Sequence, residues 1–326
     1  MARLNLSLAC WDYDRTRPLI DGRVKPAGID LTVNVMRPRE AFERMLASGE
    51  FDVSEMSFAN YVSLKSKGDC PLVAIPVMLS KMFRHNCIYV RSDSGIRGFN
   101  DLAGRRVGTM RYTSTALVFT RGLLLDEQGL KANDLQWFIG GINKPMKASR
   151  PENITDDMAC TILSETQTLD AMLLAGEIDA IFTQDMPESF MRGDSRIRRL
   201  FPDPKAIEID YFARTGIFPI MHIVVIRKDI FDAHPWVATA LFDAFSRAKS
   251  EALSQLYDTD ALHLSLPFLI DHYEETVRCF GKDFFSYGLE SNRLTVSALC
   301  RYVFEQGLSP RLVSPDELFA QVEAVK

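Results

Sequence analysis

The sequence has no apolar run approaching the ~20 residues that span a bilayer. It has no CxxC pair, no HxH or HExxH, and no glycine-rich phosphate loop. These absences argue against a membrane protein, against a metal site of familiar spacing, and against a nucleotide-binding loop. Positive charge is short as well. The 38 Lys and Arg against 43 Asp and Glu leave a net charge of −5 and a pI near 5.7, which argues against a nucleic-acid binder. A secretory leader would need an apolar h-region near the start. Instead Leu4-Asn5-Leu6-Ser7-Leu8-Ala9-Cys10 alternates as a strand and runs at once into the charged Trp11-Asp12-Tyr13-Asp14-Arg15. The expectation is a cytoplasmic protein whose six cysteines are reduced thiols.

What is present is ordinary globular material. With 326 residues, 47% hydrophobic and 25% charged, the length suits about two domains. The first third alternates strand and helix: Leu4–Ala9, then 28–35, then a helix carrying Phe42, Met45 and Leu46 at helical spacing, then a strand from Phe51. Such βαβ order predicts a mainly parallel sheet covered by helices. One stretch repeats. Leu46-Ala47-Ser48-Gly49-Glu50-Phe51-Asp52-Val53 is echoed by Leu174-Ala175-Gly176-Glu177-Ile178-Asp179-Ala180-Ile181, each a helix end, a glycine cap and an acid leading into a strand. In the second copy Ser164-Glu165-Thr166-Gln167 is expected to start the helix as a capping box. The echo suggests two similar α/β lobes. Further helices are expected at Ala116–Gln128, Trp236–Ser254, Leu294–Gln306 and Pro315–Val325.

The pattern resembles the type 2 periplasmic-binding-protein fold. The likeness rests on Pro26-x-Gly-Ile-Asp-Leu, the two Gly-Glu-x-Asp units, and Asp-Leu-x-Gly-x-x-Val-Gly at 101–108. It implies a two-lobed α/β fold, each lobe a mostly parallel sheet covered by helices, with the ligand cleft between lobes. Lobe one would be 1–105 plus 215–326, and lobe two 106–214. The run Ile217–Ile226 would carry the chain back.

A sharper likeness is local. Leu8–Gly22, Phe51–Ser57, Phe83-Arg84-His85, Trp137-x-x-Gly-Gly-Ile, Phe218-Pro219-Ile220-Met221-His222 and His234-Pro235-Trp236-Val237 resemble the 4,5-dihydroxyphthalate decarboxylase family, in order along most of the chain. The family commonly has Gln-hydrophobic-Thr-Ala after the lobe-two tyrosine. Here the stretch is Tyr112-Thr113-Ser114-Thr115-Ala116, a departure where ligand contact is expected. The resemblance implies loss of CO2 from a dihydroxylated aromatic dicarboxylate to give protocatechuate. A hydroxyl para to the departing group lets the ring accept a proton at the carbon bearing that carboxylate. Such chemistry needs an acid, cations for the retained carboxylate and a partner for the phenol. It demands no cofactor.

The candidate residues follow from that requirement. Arg15 and Arg84 can grip carboxylates through paired hydrogen bonds. Asp12 or Asp14 would accept from a catechol hydroxyl or hold a histidine tautomer, with Tyr13 and Thr16 beside them. His222 or His85 would protonate the ring, and the sequence does not choose between them. Arg111, Tyr112, Thr113, Ser114 and Thr115 open a helix whose N–H groups suit an anion. Ser57 and Phe58, and Asp185 with Thr183 and Gln184, follow strand ends and are candidate ring contacts. No metal is assigned: His85, His222 and Asp12 lack metal-ligand spacing. The basic loop 140–153 would be a cleft flap or an oligomer contact, and a homo-oligomer is expected. Neither nucleic acid nor membrane is an expected partner. The alternatives are another lyase acting on a cyclic or hydroxyaromatic carboxylate, as in menaquinone-pathway relatives, and a solute-binding protein without turnover.

Overall fold

The alternation of Leu4, Leu6 and Leu8 puts one face of the first strand against the core, half-buried at Leu4 and buried at Leu6 and Leu8, and the chain builds outward from it. The computed structural model describes residues 3–151 and 158–322. Four strands come first: β1 (Leu4–Cys10), β2 (Ile29–Val35), β3 (Val53–Ser57) and β4 (Leu72–Lys81). Six more follow: β5 (Ile88–Arg91), β6 (Arg106–Thr109), β7 (Gln136–Ile139), β8 (Cys160–Ile162), β9 (Ala180–Phe182) and β10 (Ile197–Arg199). The last, β11 (Ile220–Arg227), returns to the first group. The sheets have the orders β2-β1-β3-β11-β4 and β10-β5-β9-β6-β7-β8.

The chain divides accordingly into two α/β units. One holds the described residues of Met1–Lys81, Ile220–Ser297 and Val313–Lys326, and the other those of Met82–Pro219 and Ala298–Leu312. In each sheet one strand opposes the rest. β11 runs antiparallel to β3 and β4, and β5 runs antiparallel to β9 and β10, while the remaining pairs are parallel. Each reversed strand is the first one formed after the chain changes unit. Ile88–Arg91, expected with lobe one, is β5 of the second sheet.

The repeated stretch has the same construction in both units. The helix Pro38–Ser48 ends at Gly49 (φ 60°), and Leu169–Ala175 ends at Gly176 (φ 76°), left-handed positions that a side chain would strain. Three residues on, an aspartate clamps the neighbouring strand. Asp52 accepts from the Ser7 N–H (2.8 Å) and hydroxyl (2.9 Å), and Asp179 accepts from the Arg106 N–H (2.9 Å) and guanidinium. Leu46 is 46% exposed, so the first helix packs through Ala41 and Met45 instead.

Two helix expectations change. Ser164–Gln167 forms a turn in which Gln167 accepts from Ser164, and the helix begins at Leu169 under a Thr168 cap. Past Pro315–Glu317 the chain does not continue as helix. Phe319 bridges Ala74 of β4, and Tyr61 donates to the Leu318 carbonyl at 2.7 Å, so the segment satisfies its backbone against the sheet edge. The remainder of that expected helix, 323–325, lies outside the described residues, as do 152 and 153 of the basic loop. The loop's start is buried at Gly140–Ile142 and tied by Asn143 to Met186 and Glu188. Among the described residues no helix is long and apolar enough to cross a membrane.

Candidate active site

The carboxyl ends of β1, β3 and β4 and the start of β11 meet at one edge of the first sheet, the edge where open α/β sheets bind ligands. His222 stands in this edge, opposite Ser57 of β3 and Ser80 of β4. The ladder slips on both sides of it. Between the His222–Ser80 and Val224–Ile75 pairs, Ile223 alone faces Pro76–Leu79. Proline has no N–H for the ladder and fits such a bulge, which bends the strand and re-aims its neighbours. Two of the freed carbonyls find other donors: the Gly288 N–H at Pro76 (2.8 Å) and the Arg15 Nε at Leu79 (2.7 Å).

Glu55 lies beneath His222 with a side chain 0% exposed, while the imidazole is 21% exposed. Glu55 Oε1 receives the Tyr13 hydroxyl (2.6 Å) and is 2.6 Å from His222 Nδ1; Oε2 receives the Trp11 N–H (3.0 Å). Burial alone would push this carboxyl up, but His222, through its hydrogen bond and charge, the Tyr13 hydroxyl and the Trp11 amide outweigh it and hold the group below the usual carboxylate range. An ionised Glu55 assigns the proton of the shared bond to Nδ1 and leaves Nε2 as the working nitrogen. Burial, then the charge and hydrogen bond of Glu55, raise the Tyr13 phenol far above its ordinary value, so it remains a donor. Phe42 packs edge-on against the imidazole with centroids 4.9 Å apart, fixing the ring plane.

Glu55 is the residue that reading the sequence missed. The signal was a lone acid inside Val53-Ser54-Glu55-Met56-Ser57, a strand buried at every position. Buried carboxylates without a task are rare.

Arg15 is held beside this couple. Its guanidinium carbon is 4.1 Å from the Tyr13 ring centroid and 4.4 Å from that of Phe285, and Nη1 meets Asp14 at 2.9 Å. Among the described residues its Nη2 makes no hydrogen bond. Asp14 is half exposed, whereas Asp12 pairs with Arg17. Thr16 is fully buried and locks the turn, accepting from the Tyr13 N–H (2.9 Å) and donating to the Trp11 carbonyl (2.8 Å). Phe58 is also fully buried, against Phe319, so its expected ring contact becomes core packing. Ser57 remains at the edge, 5% exposed, opposite His222.

In the second unit the expected residues separate. Ser114 caps the Thr115–Gln128 helix and receives Gln184 Nε2 at 3.1 Å, so the loop after β6 meets the turn after β9. Arg111 and Thr113 are half-buried in that loop, and Asp185 is exposed in the turn. Tyr112 and Thr115 instead face the core: Tyr112 packs on Trp137 with the Arg121 guanidinium 3.7 Å from its ring. Arg84 is buried against the sulfurs of Met82 and Cys87. His85 has no exposed surface, is ringed by Phe99, Phe201 and Tyr211, and has Glu208 at 3.8 Å. A ring so enclosed meets no substrate in this arrangement. Among the described residues no group of three or more His, Cys, Asp or Glu side chains is placed to hold a metal ion.

Comparison with known proteins gives two kinds of relative. Residues 13–184 match the family described as "ABC transporter, phosphonate, periplasmic substrate-binding protein". The chain is 37% identical over 329 aligned positions to a 4,5-dihydroxyphthalate decarboxylase of Comamonas testosteroni, covering 100% of both. It is 36% identical over 216 positions to one of Pseudomonas putida, covering 65% of this chain and 83% of the relative. Among solved structures, the periplasmic aliphatic sulphonate binding protein of Escherichia coli shares the fold at a TM-score of 0.54 and 15% identity, covering 100% of this chain and 94% of its own.

Proposed function

The chain belongs to the 4,5-dihydroxyphthalate decarboxylase family, on a periplasmic-binding-protein fold, and from that premise we propose that it converts 4,5-dihydroxyphthalate to protocatechuate and CO2. The observation that carries the chemistry is the chain Tyr13–Glu55–His222, ending on a part-exposed imidazole at a sheet edge. Protonated His222 delivers its Nε2 proton to the ring carbon bearing the departing carboxylate. The hydroxyl para to that carbon stabilises the cationic ring. The C–C bond then breaks, its electron pair restores aromaticity, and one solvent-derived proton remains in the product. Glu55 stabilises the imidazolium and fixes its orientation, a role worth a large share of the ~10²–10⁴-fold typical of a general acid. Arg15 offers Nη2 to the retained carboxylate. Arg111, Thr113 and Ser114 are proposed as carboxylate donors of the second unit. The six free cysteines, four of them buried, support a cytoplasmic location. A homo-oligomer remains part of the reading, checked by sedimentation of the purified chain.

The experiment is incubation with 4,5-dihydroxyphthalate in water and in D2O, with protocatechuate followed by chromatography and mass spectrometry. Turnover with one deuterium on the ring carries the proposal. The match to a substrate-binding family favours a second reading, solute binding alone. Ligand-induced stabilisation without product would establish that one and overturn the first, and turnover of another cyclic carboxylate in place of this one would mark a different lyase.

A further inference from the structure

Lys81, the last residue of β4, is 9% exposed and lies beside Ser80, the residue opposite His222. Its Nζ donates to Asn292 Oδ1 (2.7 Å) and Ser286 Oγ (3.1 Å). Asn292 in turn donates to the carbonyls of Ser286 (3.2 Å) and Gly288 (2.8 Å), and the Gly288 N–H reaches Pro76 in the β4 bulge. A second lysine, Lys249 of the Trp236–Ser254 helix, pairs with Asp283 (2.8 Å) and lies 4.9 Å from the ring centroid of the buried Tyr287. Residues 283–288 thus form a short strap with no helix or strand of its own, pegged by two lysines. What the strap carries toward the site is Phe285. Its ring centroid is 4.4 Å from the Arg15 guanidinium carbon and 5.6 Å from Lys81 Nζ.

We propose that Lys81 is a positioning residue for the carboxylate site: by pegging the strap it seats Phe285 against Arg15 and sets where that guanidinium points. The inference rests on the reading of Arg15 as carboxylate binder. Charge strengthens the hold, because both bonds from Nζ are charge-assisted. An amide or thioether would fill the same space, and a buried ammonium opposes folding. Burial lowers Lys81 to about 7, with Asp283 pulling it up and Lys249 pushing it down. Asp283 and Lys249 are the charges that act on it, Arg15 lies beyond Phe285, and Ile220 of β11 stands opposite it. Above neutrality the amine keeps two N–H groups but loses the charge that strengthens its bonds to Asn292 and Ser286, and the strap loosens.

The test uses the full-length protein and phthalate, which keeps both carboxylates but lacks the hydroxyls that permit reaction. Binding is measured by calorimetry from about pH 6 to about pH 9. Wild type should bind less tightly as pH rises through neutrality. Lys81→Met should bind about tenfold more weakly at the acid end, the loss expected for one misplaced charge-assisted hydrogen bond, and should show no step through neutrality. Its kcat at saturating substrate should stay within about threefold while KM rises. Lys81→Arg, which keeps its charge throughout, should bind well and without the step; it keeps the inference testable if the methionine variant misfolds. Wild-type affinity in Lys81→Met, or the same pH step in wild type and both variants, would overturn the proposal. The failure of the catalytic reading looks different: phthalate binds with the Lys81-dependent step, but no protocatechuate forms from the dihydroxylated acid.

Discussion

Replacing Glu55 with glutamine alters one atom and removes the negative charge beneath His222. The carboxylate uses both oxygens: Oε1 for the Tyr13 hydroxyl and His222 Nδ1, Oε2 for the Trp11 N–H. An amide has a single oxygen. Placed at Oε1, it leaves an NH2 against the Trp11 N–H, donor facing donor. Flipped, it sets the NH2 against Tyr13 and His222 and drives the imidazole into its other tautomer. Either way one buried bond is lost and the imidazolium loses its counter-charge. A charge-assisted bond of this kind contributes about 2–3 kcal/mol, so kcat should fall roughly 30- to 150-fold. The assay is protocatechuate formation at saturating substrate, run beside phthalate titration and thermal melting. A kcat within threefold of wild type would refute the role given to Glu55. So would a loss of phthalate affinity as large as the loss of rate, which would make Glu55 a scaffold for binding.

Other perturbations separate the parts. His222→Ala should cost about 10²-fold or more in kcat with little change in phthalate affinity, whereas Arg15→Ala should weaken phthalate binding first; the reversed pattern exchanges their roles. Gly122→Ala should destabilise the protein by about 1–3 kcal/mol in denaturant melts, because a Cβ there would lie 2.5 Å from the Tyr302 ring; unchanged stability would mean that the ring can move aside. Lys81→Met should alter the pH dependence of stability. Between about 7 and 10.5 the unfolded chain binds a proton at Lys81 that the native protein does not, so wild-type stability gains with rising pH from this group and its cost is greatest at or below neutrality. The variant should lack that gain and be the more stable protein at acid pH, by on the order of a few kcal/mol before the cost of the orphaned Ser286 and Asn292 contacts. A variant less stable at every pH would show that the ammonium serves the fold.

The fold is legible where local chemistry and burial agree. Glycine caps at 49 and 176 and the acids three residues on dictate the same turn in both units, because only a left-handed cap followed by a strand-clamping carboxylate satisfies the backbone there. The Trp236–Ser254 helix shows its apolar face in the sequence and is found with those bounds. Legibility ends where partners are distant. Nothing near Tyr112 announces that it packs on Trp137 and Arg121, so an exposed cap and a core position look alike. His85 beside Arg84 looks like a site, yet Phe99, Phe201 and Tyr211 enclose it from 14, 116 and 126 residues away. Lys81 and Glu55 are ordinary charged residues until the sheet register sets them at one edge, and the β4 bulge that aligns Ser80 with His222 has Pro76 as its sole trace in the sequence.

That edge poses an electrostatic question with a measurable answer. Arg15 and Lys81 favour an anionic ligand, as any carboxylate-binding site must. Glu55 opposes one: a buried carboxylate held ionised beneath the site repels a dianion and costs desolvation besides. A protein that only bound solute would gain by losing it. Its presence makes physical sense if what it stabilises is positive charge on His222, which exists to be handed over as a proton. Glu55→Gln should therefore bind phthalate as tightly as wild type or more tightly, while it turns over 4,5-dihydroxyphthalate more slowly. Weaker binding together with unimpaired turnover would reverse the sign and leave the carboxylate without a catalytic reason.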